Sequence, residues 1–360
     1  MIYLDYNATT PVREQAVQAW NAVNFPANPS SVHGYGRNAR KIVEDARAIL
    51  ADALSCFAEE IIFTASGTEA NNMVLQGFSV RKLFLDATAH PSIAFIVSNS
   101  SNILVNQSGI LQLEKLRREL EATPKNTSLI SVLLANNETG IIQPISELAN
   151  LAQEFGALLH LDATQAFGKI PLDMGILGAD LLTISAHKMG GVVGAAALIV
   201  RQNINIHPLL RGGGQERRLR AGTENVPAIA AFAAAAKQSR EDNWQANLRE
   251  RLNQMEARIE EKYPQAIIVG KNQLRLPNTS NIILPPVSAQ TQLMYLDINQ
   301  IAVSAGSACS SGKTAASQVL LAMGYTEKQA SCAIRISGGW ATQESELAEF
   351  ERVYLGKGWV

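Results

Sequence analysis

The chain has 360 residues, a formal net charge of −1, 47% hydrophobic residues and 18% charged ones. That length supports one large core or two domains, and an even charge balance with no basic tail or stripe argues against a nucleic-acid partner. What remains is an ordinary globular protein.

The opening Met1-Ile2-Tyr3-Leu4-Asp5 has no basic stretch followed by an apolar one, so no secretory signal is expected. The longest apolar run, residues 228–236, falls short of the roughly 20 residues that cross a bilayer. We therefore expect a cytoplasmic protein with no membrane contact. Cys56, Cys309 and Cys332 are odd in number and widely spaced, which suits reduced thiols better than a disulfide framework or a zinc site. No metal ligand is assigned.

Within residues 39–54, Ile42, Val43, Ala46, Ile49, Leu50 and Leu54 recur at helical spacing and predict an amphipathic helix. Short apolar runs come next at 61–63, 83–85, 129–134, 158–161, 181–184 and 196–200, with helical stretches between them. Continuous apolar strands alternating with helices predict an α/β domain whose mainly parallel sheet is covered on both faces. The charged stretch 241–262 predicts a long solvated helix leading into a second unit. There, strands at 267–269, 281–284, 301–304 and 333–337 mix with helices as a smaller α+β domain.

The residues with chemical potential cluster where these runs end, the place where ligands gather in open α/β sheets. Ser66-Gly67-Thr68-Glu69 opens a helix after a strand, so its free N–H groups and the Thr68 hydroxyl form either a phosphate cradle or simply a capped helix start. His90, just before Pro91, can stack on an aromatic ring and pass protons, or be structural, as His33, His160 and His207 are read. Asn136-Asn137-Glu138 stands at the end of the next run. Asp162 can pair with a protonated pyridine nitrogen or serve only as a helix N-cap after its strand, and Gln165 can reach a ring oxygen.

Lys188, after an apolar run and before Gly190-Gly191, can hold an aldehyde cofactor as a Schiff base, with Ser185 and His187 adding phosphate donors, or be an ordinary surface lysine at a strand end. The loop Gly212-Gly213-Gly214 leads to Arg220-Ala221-Gly222-Thr223. Cys309 lies in Ser304-Ala305-Gly306-Ser307-Ala308-Cys309-Ser310-Ser311-Gly312, where no bulky neighbour buries the thiol. Arg335 interrupts an apolar strand and calls for a carboxylate partner, either a substrate's or the protein's own. Cys56 and Cys332 carry no motif and read as small buried hydrophobes.

Together these motifs, with Tyr3 to Pro11, Asn28-Pro29-Ser30-Ser31 and Gly67 to Asn72, resemble the pyridoxal-phosphate-dependent cysteine desulfurases of the iron-sulfur-cluster assembly type, within the class V aminotransferase superfamily. The resemblance spans almost the whole chain. It implies the type I fold of pyridoxal-phosphate-dependent transferases, with a large cofactor domain at 14–245 and a small domain, built from 1–13 and 246–360, that carries the Cys309 loop.

It also implies roles for residues. Lys188 holds pyridoxal 5'-phosphate, Asp162 pairs with its ring nitrogen, His90 stacks on the ring, and Gln165 and Asn137 lie near the ring oxygen. Gly67, Thr68, Ser185 and His187 bind phosphate, and Thr223 reaches the neighbouring subunit's phosphate in a homodimer. Arg335, helped by Asn137, takes the substrate carboxylate. L-cysteine is then the substrate: its sulfur passes to Cys309 as a persulfide, L-alanine leaves, and a sulfur-acceptor or scaffold protein receives the sulfur for iron-sulfur-cluster or thio-cofactor synthesis. Where the run after Cys309 departs from some relatives, Lys313 can lower the Cys309 thiol pKa or steer an acidic acceptor. The alternatives are a selenocysteine lyase, another aminotransferase or lyase of this fold, and, from a different class, a non-catalytic scaffold.

Overall fold

A computed structural model describes residues 1–94, 100–306 and 316–359. A seven-stranded sheet organises it, in spatial order Ile61–Thr64, Ala196–Val200, Leu181–Ser185, Leu158–Asp162, Ser128–Leu133, Lys82–Asp86 and Ser100–Ile103. From Leu181–Ser185 to Ser100–Ile103 every pairing is parallel. Ala196–Val200 runs antiparallel to both of its neighbours. The mainly parallel sheet expected from the apolar runs is therefore present, with one reversed strand near its edge.

The runs are continuous because both faces are covered. Every residue of Ser128–Leu133, Leu181–Ser185 and Ala196–Val200 is buried. Leu129, Leu181 and Leu198 pack with Met73 and Val74 of the helix Gly67–Gln76. Ile130, Leu182 and Ile199 face the opposite way, into a core shared with the helices Gly34–Leu54 and Val226–Ser239. The first of those two helices starts earlier than its apolar periodicity suggests, because the His33 ring caps it by accepting the Gly36 N–H. Gly36 is required there: a Cβ would lie 2.0 Å from the Ser31 carbonyl oxygen.

A second sheet, antiparallel and four-stranded, runs in the order Ser304–Ala305, Ala333–Ser337, Thr279–Ile283, Ile267–Ile268. Its core includes Leu252, Ile259, Ile282, Ile334, Ile336 and Phe350, together with Leu4 from the start of the chain. Leu4 arrives there because Ile2–Tyr3 pairs in parallel with Ile301–Ala302. The two cores are not sorted strictly by sequence, since Val269, Leu276, Leu320 and Cys332 join the large one.

Two expectations need correction. The single strand at 301–304 is two strands in different sheets, divided at Val303, because one half pairs with the chain start and the other with Ala333–Ser337. The helix in 241–262, formed as Trp244–Lys262, is not solvated all round. Leu248, Leu252, Met255 and Ile259 bury one face, and the buried Glu256 carboxylate is held by Arg275 at 2.9 and 2.8 Å.

Candidate active site

Parallel pairing sets Leu133 beside Asp162 and Asp162 beside Thr183, so the strands end along one edge. Asp162 is 5% exposed. Its Oδ1 accepts the Thr164 N–H at 2.9 Å and its Oδ2 accepts Asn71 Nδ2 at 2.8 Å. The first bond is the turn-capping role that a lone aspartate commonly plays. The second holds the carboxylate in one orientation.

Beyond Leu181–Ser185, a short turn, Ala186–Lys188, carries the lysine back over the strand end. Lys188 Nζ donates to the carbonyl oxygens of Asn7 at 2.7 Å and Ala8 at 2.8 Å. Burial, reinforced by Arg335 and opposed by Asp162 and Asp5, lowers its pKa to about 8. An amine so placed is readily available as a nucleophile near neutral pH.

Asn7 joins the parts of this edge. Its carbonyl also accepts Gln165 Nε2 at 2.9 Å, its Oδ1 accepts Lys169 Nζ at 2.8 Å and Asn278 Nδ2 at 3.0 Å, and its Nδ2 donates to the Asn137 carbonyl at 3.1 Å and Thr279 Oγ1 at 2.9 Å. Lys169 is buried and donates also to Gln165 Oε1 at 2.7 Å. Both of its acceptors are neutral amide oxygens, which match the two N–H bonds of an uncharged amine. Burial, with Lys188 and Arg335 nearby, holds its pKa well below the usual lysine value.

The helix Gly67–Gln76 begins at Ser66, whose hydroxyl accepts the Glu69 N–H at 3.1 Å. The N–H groups of Gly67 and Thr68 have no acceptor inside the helix. A Cβ on Gly67 would lie 3.3 Å from Thr164 Oγ1 and 3.8 Å from the Ser185 Cβ, so Gly67, Thr164 and Ser185 converge. His187 Nδ1 contacts Thr9 Oγ1 at 3.2 Å, and burial followed by Lys188 brings its pKa to about 4. The helix start is tied outward by Glu69, which pairs with Arg220 at 2.6 Å. Thr223, shortly beyond, is exposed.

Arg335 lies in the second sheet, 5% exposed. It donates to Asp5 Oδ1 at 2.6 Å and to the Asn137 carbonyl at 3.0 Å, while its buried Nε has no partner among the described residues. The protein's own carboxylate thus holds it here. Asn137 reaches both Arg335 and Asn7 through its carbonyl.

His90 is an exposed residue whose Nδ1 contacts Ser92 Oγ at 2.8 Å and accepts the Ser92 N–H at 3.1 Å. Partial desolvation by the surrounding protein lowers its pKa, with Asp162 opposing and Lys188 reinforcing the shift. His160, read as structural, lies between Ser131 Oγ and Thr183 Oγ1 at 2.8 and 3.0 Å, and burial lowers its pKa to about 4. Cys56 and Cys332 are free thiols, both raised by burial, Cys56 to about 12. Cys309 and Lys313 lie outside the described residues.

The chain therefore brings Lys188, Asp162, Gln165, Ser185 and Gly67 to one edge, sets Arg335 of the second sheet beside it through Asn137 and Asn7, and joins His90 to it through Ser92 and Asn71. The edge offers a carboxylate, a weakened amine and a cluster of donors, which suits a ligand with a basic ring nitrogen, an aldehyde and a phosphate. Among the described residues no group of three His, Cys, Asp or Glu side chains is arranged to hold a metal ion. Sequence reasoning missed Lys169 and Ser92 as members of the site and saw Asn7 and Asn71 only inside the motifs Tyr3 to Pro11 and Gly67 to Asn72. Lys169, between Gly168 and Ile170, carries no local sign that it is buried.

The family model for aminotransferase class V matches residues 2–350. The chain is 36% identical to the cysteine desulfurase IscS of Dictyoglomus turgidum, covering 96% of this chain and 91% of that protein. It is 37% identical to a cysteine desulfurase of Nostoc sp., covering 96% and 90%. Among solved structures, the NifS-like protein from Rickettsia africae superposes with a TM-score of 0.90 at 37% identity, covering 98% of each chain.

Proposed function

The chain belongs to the class V aminotransferase family, and from that premise we propose that it is a pyridoxal-phosphate-dependent cysteine desulfurase, converting L-cysteine to L-alanine and a protein-bound persulfide. The observation that carries this reading is the weakened Lys188 amine on the same sheet edge as the fixed Asp162 carboxylate and the Gly67 helix start. The relatives named as cysteine desulfurases support it over a selenocysteine lyase.

Bound there, pyridoxal 5'-phosphate supplies an electron sink for chemistry at the substrate α-carbon. Lys188 is the attachment amine and, once free, takes the α-proton of L-cysteine on Nζ. Asp162 holds the proton of the ring nitrogen, its orientation kept by Asn71 and Thr164. Gly67, Thr68, Ser185 and His187 bind the phosphate, and Gln165 and Asn137 serve the ring oxygen. His90 covers the ring and presents a nitrogen to the cleft.

Arg335 leaves Asp5 for the substrate carboxylate, an exchange of one carboxylate for another that its unpartnered Nε favours. The Cys309 thiolate attacks the substrate sulfur. The carbon–sulfur bond breaks with its electron pair kept by carbon, a proton completes L-alanine, and the persulfide remains on Cys309 until an acceptor protein removes it.

We assign the sulfur to iron-sulfur-cluster or thio-cofactor synthesis, and we read the working unit as a homodimer, in which the exposed Thr223 reaches the second copy's phosphate. The free thiols Cys56 and Cys332 support a cytoplasmic setting. Incubation of the holoenzyme with L-cysteine tests the activity: L-alanine should form with wild type and not with Lys188→Ala, and equal turnover by the two would refute the reading.

A further inference from the structure

Two contacts fix the direction of every hydrogen bond between Asp162 and His90. At one end, an ionised carboxylate only accepts, so the Asn71 group 2.8 Å from Asp162 Oδ2 is its NH2. The same NH2 lies 2.9 Å from Ser92 Oγ, and this hydroxyl oxygen therefore accepts from Asn71. At the other end, a backbone N–H only donates, so the Ser92 N–H 3.1 Å from His90 Nδ1 requires a lone pair on that nitrogen. The Ser92 hydroxyl, 2.8 Å from Nδ1, has its own proton left to give and donates it there. Asn71 is 2% exposed and Ser92 8% exposed, so water does not readily replace either partner.

We infer that Ser92, seated by Asn71, is a positioning residue that fixes His90 as its Nε2–H tautomer, so that the imidazole meets the cleft as a hydrogen-bond donor. The inference rests on the reading of the cleft as the cofactor site and deepens the role of His90 there. A proton cannot be taken up from the cleft at Nε2, because Nε2 already carries one. Charging the ring would place a proton on Nδ1 against the Ser92 N–H, which opposes the imidazolium form. The charged groups facing His90 are Asp162, which favours that form, and Lys188, which opposes it. Removal of the α-proton thus falls to Lys188. Asn71 couples the two halves of the site, because one NH2 group orients both Asp162 and Ser92. The cost is a buried Asn71 Oδ1 without a partner among the described residues.

The test is long-range nitrogen–proton NMR of the holoenzyme with 15N-labelled histidine, the His90 signals being those lost in His90→Gln. At neutral pH wild type should show a protonated Nε2 and an unprotonated Nδ1. Ser92→Ala, which keeps the backbone N–H but removes the hydroxyl donor, should admit a minor Nδ1–H population and shift the His90 titration midpoint upward, and Ser92→Thr, which restores the hydroxyl, should return both toward wild type. A protonated Nδ1 in wild type, or an unchanged titration midpoint in Ser92→Ala, would overturn the inference. The wild-type spectrum decides the tautomer even if a variant folds poorly. Release of L-alanine by the same wild-type preparation is the separate measure of the underlying functional reading.

Discussion

Lys188 Nζ rests 2.7 Å from the carbonyl oxygen of Asn7, a residue 181 positions earlier in the chain. The same oxygen holds Gln165. Asn7 is brought there by Ile2–Tyr3, which pairs with Ile301–Ala302 just ahead of the second sheet, so the start of the chain bridges the two halves and supplies the resting place of the reactive amine. What Lys188 can do depends on this seat and on its burial.

The pH dependence of cofactor loading reflects that burial. The Lys188 pKa is lowered from 10.5 to about 8, so the free amine accumulates as pH rises through about 8. The rate at which apoprotein binds pyridoxal 5'-phosphate, monitored by absorbance, should rise with a midpoint near that value. A midpoint near the ordinary lysine value would contradict the seat described. For stability the sign is the same. Between about 8 and 10.5 the unfolded chain binds more protons at this residue than the folded one, so this contribution grows more favourable as pH rises across that window and is weakest below it.

Lys169→Met should cost stability and activity together. It removes the donor to Gln165 Oε1 and one of the two donors to Asn7 Oδ1, the other being Asn278. One newly unpaired buried acceptor costs about 1–3 kcal/mol. Urea unfolding of wild type and variant measures this, and an unchanged midpoint would show that Lys169 does not hold the hub.

Asp5 and Arg335 should give opposite effects on substrate affinity. Asp5→Asn weakens the partner that a substrate carboxylate must displace, and KM for L-cysteine should fall. Arg335→Lys keeps the charge but loses the planar fork, and KM should rise roughly 10- to 100-fold, the range for losing a charge-assisted hydrogen bond. Initial-rate kinetics of both variants decide the point, and movement of KM in the same direction would count against the exchange of carboxylates.

Cys56→Ala and Cys332→Ala should leave turnover near wild type. Burial raises the pKa of both thiols, which keeps them protonated at neutral pH, and Cys332 Sγ is further engaged with the Lys328 carbonyl at 3.1 Å. A large loss of L-alanine release in either variant would give that thiol a part in the sulfur transfer assigned to Cys309.

The sheet was legible because burial on both faces writes itself into continuous apolar runs, and the candidate residues were legible because they stand where those runs end. The buried face of Trp244–Lys262 was hidden by the charges interleaved with Leu248, Leu252, Met255 and Ile259. The division at Val303 depends on which strand each half meets, and nothing local records that. Asn7 escaped for the same reason, since its function lies in a backbone oxygen and an amide whose partners come from distant segments. Ser92 follows Pro91 with no local sign of a role, and its meaning appears only once Asn71 and His90 are placed on either side of it.

Sulfur transfer from L-cysteine to Cys309 is decided by mass spectrometry of the holoenzyme after brief incubation with the amino acid. One additional sulfur is expected on the peptide containing Cys309, formed together with L-alanine and absent from Cys309→Ser. Additional sulfur on Cys56 or Cys332, or L-alanine release by Cys309→Ser at the wild-type rate, would contradict that transfer.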